Sequence, residues 1–153
     1  MTACQMPSAD APSEVQAVVI DTNIVLDLWV YQDPATPSLL SALQQGQLRW
    51  LATAAMREEL LRVLDYPHIA QRRARDGVNA QAVLDQFDTL VHLQDPAPKA
   101  AYICKDADDQ KFIDLAVAHR ALLLSKDKQV LRLTNRLARL GVAVRPRHGL
   151  LGS

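Results

Sequence analysis

Ala17-Val-Val-Ile20 is a short unbroken apolar run with β-branched residues, the pattern of a strand buried on both faces, and it ends directly in Asp21-Thr22-Asn23. The same signal returns at Ala121-Leu-Leu-Leu124, and further strands are expected over residues 48–53, 101–104 and 142–144. Helical patterns fill the intervals. One is expected over 24–30, broken by Asp33-Pro34, and a second runs to Gly46 after Thr36 as N-cap and Pro37 in its first turn. Residues 54–64 read as a third, which Tyr66-Pro67 stops, and 80–93 as a fourth; a fifth covers about 109–120. Val130, Leu133, Leu137 and Leu140 recur at helical spacing before Gly141, which suits a C-terminal cap. Alternating strands and helices predict right-handed βαβ units, hence an α/β fold with a mostly parallel sheet covered on both faces. No internal repeat interrupts this order, so one domain is expected over residues 16–148, with short tails at 1–15 and 149–153.

Composition supports a globular domain. Of 153 residues, 49% are hydrophobic and 22% charged, both near globular averages, and this length buries enough surface to fold without staples. The start, MTACQMPSADAPSEV, lacks the basic and apolar regions of a secretory signal, and no stretch nears the roughly 20 apolar residues of a membrane span. Cys4 and Cys104 form neither a disulfide framework nor a zinc spacing. A cytoplasmic protein with no membrane association is expected. The net charge is zero, but its distribution is uneven: residues 1–98 hold six Lys/Arg and twelve Asp/Glu, whereas residues 128–153 hold six Lys/Arg and no acid.

The candidate chemistry lies in carboxylates. In open α/β sheets ligands bind beyond the carboxyl ends of the strands, near the reversal of strand order. Asp21 follows one strand directly, and Asp127 follows another in Leu124-Ser125-Lys126-Asp127. Each alone has an ordinary explanation, because aspartate is common in turns and as an N-cap. On the helix over 54–64, Met56, Leu60, Val63 and Leu64 define the buried arc; Glu59 borders it, while Glu58 points away, facing Arg62 at most. Asp106, Asp108 and Asp109 precede Phe112 and Ile113, and Asp109 shares the face of Ile113 and Ala116, whereas Asp114 faces outward. Helix capping would account for one of these acids, not for three in four residues. Asp21, Glu59, Asp109 and Asp127 are therefore expected to share a pocket, and like charges so gathered call for retained protons or a cation; all-oxygen ligands suit Mg²⁺ or Mn²⁺.

These segments resemble those of the PIN-domain family over residues 17–144. Val-Val-Ile-Asp21-Thr22-Asn23 is similar to the family's first strand and acid, and Arg57-Glu58-Glu59-Leu-Leu-Arg-Val-Leu64 to the helix with the second. Asp106-Ala-Asp-Asp109-Gln-Lys-Phe-Ile resembles the third-acid segment, and Leu124-Ser125-Lys126-Asp127 the fourth. The resemblance implies a three-layer α/β/α sandwich and divalent-metal hydrolysis of phosphodiesters, usually in RNA, leaving a 5′-phosphate and a 3′-hydroxyl. It implies catalytic and metal-binding roles for the four acids and supporting roles for Asn23 and Ser125; helical phase leaves Asp106 and Asp108 as outer candidates. It further implies a toxin component held inactive by an antitoxin protein, and a homodimer. Two departures stand out: Lys126 where glycine is common, and Ala107 where close relatives favour proline.

Arg132, Arg136 and Arg139 recur at spacings of four and three, opposite the leucines of the last helix. Either they are a solvated face or, with Lys126 and Lys128, they form an RNA-backbone track. Aromatics are only 5% of residues, and no stacking motif accompanies the stripe. His68, His92, His119 and His148 have no ligand spacing. A dehalogenase-type phosphatase would need aspartate where Asn23 stands, a receiver domain would need a different order of acids, and no glycine-rich phosphate loop is present. The remaining alternative is a non-catalytic PIN-fold module that binds RNA or a partner.

Overall fold

A computed structural model describes residues 15–34, 36–104 and 107–146. Within them lie five strands and eight helices, in the order β1 (Gln16–Ile20), α1 (Thr22–Trp29), α2 (Pro37–Gln44), β2 (Leu48–Ala52), α3 (Ala54–Leu64), α4 (Pro67–Asp76), α5 (Ala80–Leu90), β3 (Val91–Leu93), α6 (Ala107–His119), β4 (Leu122–Leu124), α7 (Lys128–Leu131), α8 (Thr134–Ala138) and β5 (Val144–Arg145). All strand pairings are parallel, and the order across the sheet is β3-β2-β1-β4-β5. The chain builds outward from β1 in one direction to β3, then returns to the other side of β1 and continues to β5. Right-handed crossovers running in opposite directions place their helices on opposite faces, giving the α/β/α sandwich. The order reverses between β1 and β4.

Burial on both faces explains the strand sequences. Val18 and Val19 of β1, and Leu123 and Leu124 of β4, are fully buried. In β2, Trp50 stacks on Trp29 of α1 at 6.0 Å between ring centroids and meets Phe87 of α5 edge-on at 5.1 Å, which joins the sheet to two helices of one layer. On the opposite layer, α6 packs against β1 and β4 through Phe112, Ile113 and Ala116.

Several boundaries depart from the sequence pattern. Tyr66-Pro67 ends one helix but starts another: Tyr66 is the N-cap of α4 and Pro67 its first residue, where the missing N–H costs nothing. Residues 91–93, expected to finish a helix, instead form β3 and pair with β2. The strand expected over 101–104 is absent; side chains of α6 hold that segment, Gln110 accepting from the Cys104 amide (2.6 Å) and Asp114 from the Ala100 amide (2.8 Å). The last helix is broken into α7 and α8 at Arg132-Leu133, with the Thr134 hydroxyl donating to the Leu131 carbonyl (2.6 Å). Thr36 makes no side-chain cap; its hydroxyl donates to the Asp33 carbonyl (2.6 Å).

Gly141 has φ +85°, as a helix-terminating glycine requires, and a Cβ there would meet the Arg120 side chain at 3.2 Å. Gly141→Ala therefore combines left-handed strain with crowding. It is expected to lower the unfolding free energy by about 1–2 kcal/mol, read as a shift in urea midpoint at unchanged slope.

Candidate active site

Register builds the site. Ile20 of β1 lies opposite Leu124 of β4, so the next residues, Asp21 and Ser125, emerge side by side at the strand ends. The Asp21 amide donates to the Leu124 carbonyl (2.9 Å), and the Ser125 hydroxyl donates to Asp21 Oδ2 (2.7 Å). Asp21 is only 4% exposed. The same Ser125 oxygen accepts from the Asp127 amide (3.1 Å), and Asp127 Oδ1 accepts from the Gln129 amide (2.8 Å), capping α7. The ordinary reading of Asp127 as an N-cap thus holds, with the residue also at the sheet edge.

The other acids come from opposite helical layers. Glu59 of α3 lies at the inner border of its helix, as the periodicity predicts, while Glu58 is exposed. Glu59 Oε2 accepts from the Thr22 hydroxyl (2.5 Å), and its Oε1 pairs with the Lys111 ammonium of α6. Lys111 also donates to the Asp108 carbonyl (2.7 Å), so one side chain ties the two helical layers across the end of β1. Asp109 is buried in the first turn of α6, at the third helical residue rather than the cap. Asp114 belongs to the loop support described above, not to the site. Asp106 lies outside the described residues.

Electrostatics groups three of the four. Burial raises the Asp21 pKa above its ordinary 3.8, and the nearby charges of Glu59 and Asp127 push the same way. The Ser125 hydroxyl and the Asn23 backbone N–H act in the opposite sense, favouring the carboxylate. Asn23 itself is exposed. Among the described residues, no group of three or more His, Cys, Asp or Glu is gathered closely enough to hold a metal ion as it stands.

The basic residues expected to form an RNA track have surroundings of their own. Lys126 pairs with Asp27 of α1 (2.5 Å), not with the four carboxylates. Arg132 and Arg136 are exposed and line a groove of about 360 Å³ with Ile103, Cys104, Gln129 and Leu133. Lys128 and Arg139 are exposed without lining that groove. His68, His92 and His119 are exposed, and His148 is outside the described residues. Sequence reasoning missed Thr22 and Lys111. Thr22 is part of the Asp-Thr-Asn turn but carried no chemical signal of its own. Lys111 sits two residues after Asp109, a spacing that places two side chains on different sides of a helix, and only its length brings the ammonium back to Glu59.

An α/β/α sandwich whose central strand ends in a buried aspartate, at the reversal of strand order and beside further acids, defines an acid-crevice protein of the doubly wound class. The chain belongs to the PIN-domain family: the model for the PIN domain matches residues 17–129. Its structure is similar to that of VapBC2 from Rickettsia felis, determined bound to a DNA fragment from their promoter, with a TM-score of 0.58 and 15% identity over 84% of this chain and 98% of that one. At that identity the likeness is one of fold. No curated protein matches the sequence. No helix among the described residues is long and apolar enough to cross a membrane.

Because the native Asp21 pKa lies above the unfolded value, the folded state holds this proton more tightly than the unfolded chain. The contribution of Asp21 to stability therefore falls as pH rises from about 3.8 through the raised native value. Asp21→Asn keeps an acceptor for Ser125 and removes the charge. It is expected to raise the melting temperature at pH 7 in EDTA, with the gain shrinking as pH falls towards 4; a pH-independent or negative shift would refute this account.

Proposed function

We propose that this protein is a divalent-metal-dependent endoribonuclease, the toxin of a toxin–antitoxin pair, acting at the crevice of Asp21, Glu59, Asp109 and Asp127. The observation that carries the reading is the buried Asp21 carboxylate at the strand-order reversal, with Glu59 and Asp127 close enough to oppose its ionisation. PIN domains are generally nucleases and typically depend on divalent metals, which supports the reaction class. The two-component VapBC2 neighbour supports an antitoxin partner.

The donor chemistry fits Mg²⁺ or Mn²⁺, since the site offers carboxylate oxygens whose mutual repulsion a cation would relieve. Asp21, Asp109 and Asp127 would hold it. Both Glu59 oxygens are engaged, by Thr22 and Lys111, so a direct role for Glu59 requires Lys111 to withdraw. When bound, the ion lowers the pKa of a water and offsets negative charge on the scissile phosphate. The chain supplies the rest. Ser125 fixes the Asp21 carboxylate and the α7 cap fixes Asp127. Burial at the strand end limits water around Asp21, which strengthens every charge interaction there.

The second reading is a PIN-fold module that binds RNA or a partner without cleaving. The Lys111–Glu59 pair favours it, because a resident ammonium already compensates one acid. Cleavage of single-stranded RNA by purified protein decides between them. With Mg²⁺ or Mn²⁺, 5′-phosphate products are expected; EDTA should abolish them, and Asp21→Asn should reduce the rate by more than about 100-fold, beyond the loss expected for an outer partner of a metal ligand. Activity surviving both controls would sink the metal-carboxylate mechanism, and no cleavage of any RNA would favour the module.

A further inference from the structure

Beside the acids lies a second groove, of about 360 Å³, that the proposed chemistry does not use. Its mouth is formed by Asn23, two residues after Asp21, and by Lys126, the residue before Asp127. Its floor is aliphatic, from α1, α3 and α4, and its walls carry Tyr31, Tyr66, His68 and the Asp27–Lys126 pair. The volume lies in the range that holds small planar ligands, roughly 300–1,000 Å³.

We propose that this groove is a nucleobase subsite, which holds an unpaired base of single-stranded RNA next to the phosphate at the acid crevice. This rests on the nuclease reading for its substrate. Three observations carry it. Two of its lining residues, Asn23 and Lys126, stand two residues from Asp21 and next to Asp127 in the chain, so a strand whose phosphate reaches those acids has its neighbouring nucleotide near the groove. Tyr66 is 45% exposed and sits beside the exposed His68, ring centroids 6.5 Å apart, which leaves aromatic surface open in an otherwise aromatic-poor protein. Tyr31 is held by the Arg72 guanidinium, 4.9 Å from its ring centroid. Aliphatic floor and aromatic wall suit the faces of a base, and the Asp27–Lys126 pair offers an acceptor and a donor to its edge. The pair is close to neutral overall, which suits a base better than a second phosphate.

Tyr66 contributes to folding through its backbone, whose carbonyl accepts from the Ile69 and Ala70 amides at the start of α4. Removing its ring therefore leaves the fold intact. The test uses the full chain carrying Asp21→Asn, which silences cleavage, with a fluorescein-labelled oligouridylate or oligoadenylate and an abasic strand of the same phosphate count, read by fluorescence anisotropy. Adding Tyr66→Ala should weaken binding of the base-bearing strands about tenfold, Tyr66→Trp should restore it, and neither should alter binding of the abasic strand. In the active chain, Tyr66→Ala should raise KM more than it lowers kcat. Equal affinities with and without the ring, an abasic strand equally sensitive to it, or no strand bound by either protein would overturn the subsite. So would Tyr66→Ala leaving RNA binding unchanged while releasing a co-purified protein, which would make the groove a protein-docking surface. Ring-dependent binding without cleavage under any metal would instead leave the subsite standing and remove the nuclease reading.

Discussion

The hydrogen bond from Ser125 to Asp21 joins residues 104 positions apart and closes the edge on which the candidate chemistry rests. It exists because β1 and β4 are neighbours only through the reversal of strand order, and because their register brings Ile20 opposite Leu124. A slip of one residue would turn Asp21 to the opposite face of the sheet and uncouple it from Ser125. The hydrophobic interior enforces that register: Val18, Val19, Leu123 and Leu124 are wholly buried, and any shift would place polar neighbours among them. The apolar pattern of two short strands thereby determines where one carboxylate stands.

Keeping a carboxylate at that place is unfavourable. Burial opposes its charge, and Glu59 and Asp127 add repulsion, while one hydroxyl and one backbone N–H favour the ionised form. Glu59 is compensated differently, by Lys111 reaching from the opposite layer of the sandwich. The two halves of the edge thus differ: Glu59 is paired with a lysine of the chain, whereas among the described residues Asp21 is favoured as a carboxylate by a hydroxyl and a backbone N–H. That difference favours Asp21 over Glu59 as the place for an external ion, with Glu59 as a support.

The helical phase of the sequence separated Glu59 from Glu58 and Asp109 from Asp114, because burial follows periodicity and both pairs lie on regular helices. The two central strands were legible because β1 and β4 are continuous apolar runs, whereas β2 carries the exposed Arg49 and the last strand falls at Val144–Arg145 rather than over 142–144. What escaped the pattern was decided by single tertiary contacts. Val91–Leu93 continues an apolar series that fits a helix, and only pairing with β2 makes it a strand. Tyr66-Pro67 carries equal information as a stop and as a start, so α4 was invisible to a reading that looked for endings. Residues 101–104 look like a strand by composition but find no neighbouring strand; Gln110 accepts from the Cys104 amide, and Asp114 from the Ala100 amide just before the segment. Lys111 could not be placed from phase, because a long flexible side chain does not respect helical faces.

The charge distribution bears on how a polyanion could approach this edge. Lys126 and Lys128 flank the fourth acid in sequence, yet the charge of Lys126 is matched by Asp27, and Lys111 is matched by Glu59. Arg132 and Arg136 are exposed in a groove of their own, on the C-terminal side of Asp127. Long-range attraction by these residues would fall off within a Debye length of roughly 8–10 Å, so it can draw a strand towards the surface but cannot offset repulsion at Asp21 itself. Binding at the edge then needs either a cation among the acids or contacts that do not depend on charge. Exposed rings and aliphatic surface provide contacts of the second kind, and they lie in the groove whose mouth is shared with Asn23. Apolar contact to a base is also less sensitive to salt than contact to a phosphate, so the two modes of attachment differ in their response to ionic strength.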